Sequence, residues 1–113
     1  MEQVQKATEA LIDAISKSEE YLRYQDARRN IIRYPILKTR ADEFRKHNYD
    51  LQTSNADIFK EADGLREEYA YITQNAVIWE YLESENAFCR VLQRVNWQLL
   101  ERLDFDAGLA EEG

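Results

Sequence analysis

The 113-residue chain holds one cysteine, one proline, one histidine and three glycines. A lone Cys89 closes no internal disulfide. With His47 as the only histidine, no set of nitrogen and sulfur ligands exists for zinc or an iron–sulfur cluster, so no cofactor or metal is expected. Gly64, Gly108, Gly113 and Pro35 are too few to supply the turns that an all-β chain needs about every ten residues. Apolar runs stop at three or four residues, and the N-terminus lacks the basic, apolar, small-residue plan of a signal peptide. No membrane span is expected, and the cytoplasm is the expected compartment.

What is present is helical in pattern. Hydrophobic residues make up 44% and charged residues 33% of the chain, and the formal net charge is −7. A chain of this mass supports one modest core, read as one domain over residues 1–103 with an acidic, frayed tail over 104–113. Val4, Ala7, Leu11, Ala14 and Ile15 recur at helical spacing and predict a first helix from about Glu2 to Lys17. Ser18 followed by Glu19 and Glu20 is a helix start, because the serine oxygen accepts from a free amide and the carboxylates favour the positive end of the dipole. That second helix carries Tyr21, Tyr24, Ala27, Ile31 and Tyr34 and must stop before Pro35, which opens a third helix with Leu37, Ala41, Phe44, Asn48 and Leu51. The segment 53–57 is a loop, with Ser54 and Asp57 as a weak capping box. A fourth helix carries Ile58, Ala62, Leu65, Tyr69 and Ile72 to about Thr73, interrupted by Gly64. Asn75 caps the fifth and longest, whose main stripe is Val77, Tyr81, Phe88, Leu92, Val95 and Leu99, flanked by Ile78, Leu82, Cys89 and Leu103. The expected fold is an all-α single-domain bundle of about five helices with a long C-terminal helix.

With these elements placed, the sequence resembles the YlbF/YmcA family of small helical bacterial proteins. The cues are Ser18-Glu19-Glu20-Tyr21 after an amphipathic first helix, Arg23-Tyr24-Gln25-Asp26-Ala27, a proline-started helix with Glu43-Phe44, Tyr81-Leu82-Glu83, and Leu92-Gln93-Arg94-Val95-Asn96. None is a catalytic signature. Two joints depart from the pattern: Tyr34 precedes Pro35 where aspartate is usual, and Ala76 follows Asn75 where proline is common. The resemblance implies a self-associating bundle without enzymatic activity. It further implies a regulatory partner of other proteins, among them the RNA-processing machinery around the membrane-anchored ribonuclease RNase Y, and of developmental programmes. The C-terminal cysteines that some relatives use for iron–sulfur binding have no counterpart after Asp104.

Two surfaces stand out. Trp79 and Trp97 are eighteen residues, or about five turns, apart and share one line of the last helix with Glu83, Asn86, Arg90 and Glu101. Large aromatics on a polar face point to an interface, with Trp79, Trp97, Arg90 and Glu83 as its candidate residues. A helix covered all round by its own chain would account for the same pair. Between Arg23 and Lys46 lie eight basic and three acidic side chains, whereas Leu51 to Gly113 carries five basic and thirteen acidic ones. Arg28, Arg29, Arg33, Lys38 and Arg40 form a candidate basic surface. Their register spreads them around the helix axis and the net charge of −7 opposes phosphate binding, so direct nucleic-acid binding is not expected. The plain reading is a solvated face paired to Asp26, Asp42 and acidic neighbours; another is contact with the acidic half of a second subunit or protein.

Tyr21, Tyr24, Tyr34, Tyr69 and Tyr81 fall on apolar stripes and are expected in the core. His47 has no catalytic neighbours in sequence, and Glu80, Glu83 and Glu85 are expected to face water, without the Glu-x-x-His pairs of a bundle di-metal site. The leading function is a non-enzymatic interaction protein, a homo-oligomer with a dimer favoured, that binds a protein partner. The alternatives are a small all-α enzyme binding an anionic substrate through inward arginines, and a weak RNA-binding helical module.

Overall fold

The computed structural model describes residues 1–53 and 58–105, with side chains described over 1–49 and 66–105. Five helices follow one another: α1 (Glu2–Ser16), α2 (Glu19–Ile31), α3 (Pro35–Thr53), α4 (Ile58–Gln74) and α5 (Ala76–Arg102). Among the described residues there is no strand. The 54–57 loop with its Ser54–Asp57 cap, the stripe side chains Leu51, Ile58, Ala62 and Leu65, and the tail 106–113 lie outside the described residues.

Local chemistry sets the joints. Ser18 serves both sides of the first: its hydroxyl donates to the Ile15 carbonyl at 2.7 Å and accepts from the Tyr21 amide at 3.2 Å. One oxygen thus closes the last turn of α1 and caps α2. Helix α2 ends at Ile31, short of the expected Tyr34. Pro35 excludes its predecessor from helical geometry, and the chain finishes with tighter bonds, Arg33 N–H to Asn30 at 3.3 Å and Tyr34 N–H to Ile31 at 2.9 Å. Asn75 caps α5 by accepting from Val77 and Ile78, each at 3.1 Å. At the far end Asp104 takes a left-handed conformation (φ 51°). Its amide bonds Glu101 at 3.2 Å while the Phe105 amide bonds Leu100 at 3.0 Å. This is the Schellman pattern, with aspartate in the place usually held by glycine. The capping bonds that stop the helix therefore extend to Phe105, two residues past the boundary read at Leu103.

The core sits where α2 crosses the first half of α5, with the α3–α4 hairpin closing the other side. Ala27 and Ile31 of α2, Ala41 of α3, Ile72 of α4, and Ile78, Tyr81 and Leu82 of α5 are buried. Ser84 is also fully buried, its hydroxyl satisfied by the Tyr81 carbonyl at 3.0 Å. Ala27, Ala41 and Ser84 are small, which lets the backbones approach closely. Tyr24 stacks on Tyr81 at 6.1 Å and on Phe88 at 5.8 Å, and Tyr21 tilts against Phe88 at 5.1 Å. Ile78 and Leu82, read from sequence as flanks of α5, are at its centre of packing, whereas Leu92 and Leu99 of the expected main stripe are exposed. The reason is length: α2 has 13 residues and reaches only the first part of the 27-residue α5. Of the tyrosines expected inside, Tyr34 and Tyr69 are equally exposed, at 48%, and Tyr69 makes ring contacts with Phe44 and Trp79.

The body is flat and open. Its extents are 50 × 36 × 17 Å and its radius of gyration is 17.8 Å, against about 13 Å for a compact domain of this length. The accessible surface of 9146 Å² exceeds the roughly 6,500 Å² that surface scaling gives for this mass.

Replacing Ile78 by alanine removes a fully buried side chain at the crossing and is expected to cost about 2–5 kcal/mol. Asn75→Ala, which frees two amides at the start of α5, is expected to cost about 1 kcal/mol. Urea unfolding followed by circular dichroism measures both, and the order of the two costs checks where the core lies.

Candidate functional site

The line of residues drawn along α5 divides between two environments. Trp79 is partly buried and packs on the core, its indole edge-on to Tyr69 at 6.0 Å and 88°. Trp97 is 50% exposed. Glu83 lies one turn from Trp79, on the same side, and Arg90 continues that side as an exposed residue. The chain's own α4 thus covers one indole and leaves the other.

Trp79 and Glu83 line a cleft of about 490 Å³ between α3, α4 and α5. Phe44, Tyr69, Trp79 and Leu82 give it an apolar floor, and Phe44 and Tyr69 approach to 6.0 Å. Asn48, Arg45 and Arg66 stand on the hairpin side, with Glu83, Glu85 and Asn86 on α5. Arg45 donates to Glu85 at 2.8 Å and to Asp42 at 3.4 Å. Among the described residues, Glu83 makes no hydrogen bond or ion pair. The sequence placed Trp79 and Glu83 together; it gave no sign of Phe44, Asn48 and Tyr69 opposite them, because that meeting depends on how the hairpin folds back.

Charged residues separated in sequence meet across helices. Arg23 of α2 grips Glu80 of α5 through two bonds, 2.8 Å and 2.7 Å. That contact holds the Glu80 carboxyl below its ordinary value and raises the guanidinium, its hydrogen bond being the main cause of each shift. Glu80 and Glu85 therefore do not simply face water, as their sequence positions suggested; each ties α5 to a neighbouring helix. Within the candidate basic surface, Arg29 pairs with Asp26 at 2.8 Å, Lys38 pairs with Asp42 at 2.6 Å and lies over the Tyr81 ring, and Arg40 lies over the Tyr71 ring. Arg28 and Arg33 are exposed. The five cations are not gathered into one patch.

Two further faces have no cover within the chain. Helix α1 segregates its apolar stripe cleanly yet buries no residue. Among the described residues it touches α2 alone. Val4, Leu11 and Ile12 are exposed, as are Leu92, Leu99 and Leu103 on the second half of α5. His47 Nδ1 lies 2.8 Å from Glu68 across the hairpin, and Cys89 is exposed rather than flanking a buried stripe. Among the described residues, no group of three or more histidine, cysteine or carboxylate side chains is arranged to hold a metal, and no helix is long and apolar enough to cross a membrane.

The Arg23–Glu80 pair gives a pH dependence of defined sign. A carboxyl with a lowered value in the fold contributes stability that is present above the unfolded value, near 4.5, and is lost as pH falls through the folded value. Both side chains are nearly half-exposed, so solvent screening keeps the contribution below about 1 kcal/mol. Glu80→Gln is expected to remove part of the stability loss between pH 5 and 3 (approximate limits from), as read by thermal melts across that range.

The model of one family, described as control of competence regulator ComK, YlbF/YmcA, matches residues 4–104. Comparison with the curated proteins and with the solved structures returns no match. The family match reaches into all five helices and takes in the Ser18 joint, from which the resemblance was read, together with the two joints, Tyr34–Pro35 and Asn75–Ala76, at which the sequence departs from the pattern. It runs through the Trp79 cleft and the uncovered half of α5 alike, and on its strength the chain belongs to the YlbF/YmcA family, which controls a competence regulator.

Proposed function

We propose that the protein is a non-enzymatic regulator that acts by association. Two copies pair through α1 and the second half of α5, and the paired body offers the Trp97 and cleft side of α5 to a protein partner. The observation that carries this reading is α1: a 15-residue amphipathic helix with no buried residue. An isolated helix of that length is marginal in water, and its stability in proteins comes from covering an apolar face. The uncovered half of α5 supplies a face of matching length, since residues 92–103 span about 17 Å and α1 about 22 Å. Two copies of each make a four-helix arrangement with an isologous interface.

The distribution of cations supports association over chemistry. An enzyme for an anionic substrate needs inward arginines with charge to spare; of the two arginines on the hairpin side of the cleft, Arg45 is engaged by Glu85 and Asp42, and Arg66 has a partner of its own. Trp97 lies on the side of α5 opposite Leu99 and in line with Trp79, which suits it to a partner rather than to the pairing face. The family resemblance directs the search for that partner to the RNA-processing machinery.

Light scattering at tens of micromolar protein (about ten to a hundred) is expected to give twice the 13.4 kDa chain mass for the wild type. The double variant Leu11→Asp, Leu99→Asp is expected to give the single-chain mass, with most helicity over α2 to α5 retained because neither residue is buried in one copy. A wild type that remains single overturns the pairing. Trp97→Ala is expected to leave the mass unchanged and to weaken capture of the partner at least about tenfold, in line with an exposed aromatic anchor.

A further inference from the structure

We infer that the cleft between α3, α4 and α5 is a receptor for one arginine side chain displayed by a partner protein. The site is separate from the proposed pairing faces, so it stands or falls independently of the dimer.

Three aromatic rings converge on the cleft: Phe44 and Tyr69 at 6.0 Å, and Tyr69 and Trp79 at 6.0 Å in an edge-on arrangement. Aromatic faces attract cations, tryptophan most strongly, and a planar guanidinium stacks on them better than an ammonium does. Rings alone would accept an apolar guest equally well. The deciding residue is Glu83, on the turn after Trp79, whose carboxylate is half-buried at the cleft and makes no hydrogen bond or ion pair among the described residues. The nearest cation of α2, Arg23, feels its charge but is committed to both oxygens of Glu80. Glu85, the other carboxylate of the cleft, is already met by Arg45 at 2.8 Å. A carboxylate that makes no hydrogen bond or ion pair among the described residues, beside an indole, can take a further cation, and a guanidinium satisfies both at once, stacking on Trp79 while giving two parallel bonds to Glu83.

The same charges argue against an acidic guest. It would face Glu83 directly, and neither arginine of the cleft is at liberty to meet it: Arg45 is held by Glu85 and Asp42, and Arg66 has a partner of its own. The volume of about 490 Å³ takes a long side chain with part of its backbone and is far from accommodating a helix. The rim then distinguishes a protein-borne arginine from a small free cation. Asn48 and Asn86 stand on opposite helices at the mouth, and neither side-chain amide makes a hydrogen bond among the described residues. A primary amide pairs with both halves of a peptide unit, donating to its carbonyl and accepting from its N–H. Two of them across the mouth suit the backbone on either side of the inserted residue.

The test uses the Trp97→Phe protein, in which Trp79 is the single indole and reports the cleft by fluorescence. The probe is a blocked alanine–arginine–alanine tripeptide. Controls are the same peptide with citrulline, which keeps the shape of arginine without its charge, the peptide with glutamate, and free agmatine. A saturable change in Trp79 emission with the arginine peptide is expected. Binding at least about tenfold weaker is expected for citrulline and for the arginine peptide on Glu83→Gln, the usual loss for one charge-assisted contact. Weaker binding of agmatine than of the peptide is expected from the amide rim. Asn86→Ala is expected to narrow that gap. Equal affinity for citrulline, no effect of Glu83→Gln, or preference for the glutamate peptide overturns the proposal. Agmatine binding as tightly as the peptide overturns the protein source and makes the cleft a site for a free cation. Repeating the titration in the Leu11→Asp, Leu99→Asp background separates the two readings: arginine binding there without pairing keeps the cleft and leaves the dimer to its own test.

Discussion

The crossing of α2 over the first half of α5 is the contact from which the rest of the molecule follows. Ile31 and Ala27 meet Ile78, Tyr81 and Leu82 there, all buried, and the rings of Tyr21, Tyr24 and Phe88 extend the seam. Once that seam is fixed, the α3–α4 hairpin has one free side of α5 to occupy, and Ala41 and Ile72 close the core from it. Because α2 is short, the seam also fixes what stays open: α1 leaves from one end of it, and the last third of α5 runs past it.

Charge in this chain is segregated along the sequence but reconciled in the fold. The basic stretch reaches the acidic half through Arg23–Glu80 and Arg45–Glu85, each spanning two helices. Such half-exposed pairs contribute little stability individually. Their value lies in direction: they hold α2 and α3 at defined rotations about α5, and so decide which residues of α5 line the cleft. Glu83, between the two pairs in sequence, is the carboxylate that this arrangement leaves over.

Helical class, the number of helices and both serine and asparagine caps were legible from spacing and cap chemistry, which are local. Boundaries at Ser18, Pro35 and Asn75 fell where expected for the same reason. The burial of Ile78 and Leu82, and the exposure of Leu92 and Leu99, were not legible, because α5 is apolar around much of its girth and only the length of α2 decides which part is covered. The cleft was half legible. Trp79 and Glu83 are one turn apart and visible as a pair. Phe44, Asn48 and Tyr69 reach them through tertiary folding that no spacing encodes. Trp79 and Trp97 looked equivalent in sequence, and the fold distinguishes them by setting Tyr69 of α4 against the first and leaving the second half-exposed.

A thickness of 17 Å leaves room for two helices and no third layer. In a slab of that depth the fully buried residues, Ile31, Ala41, Ile72, Ile78 and Ser84, gather at the helix crossing, and segments away from it open with less disruption. The pairing proposed above would double that depth, so the same chain would become harder to open as its concentration rises.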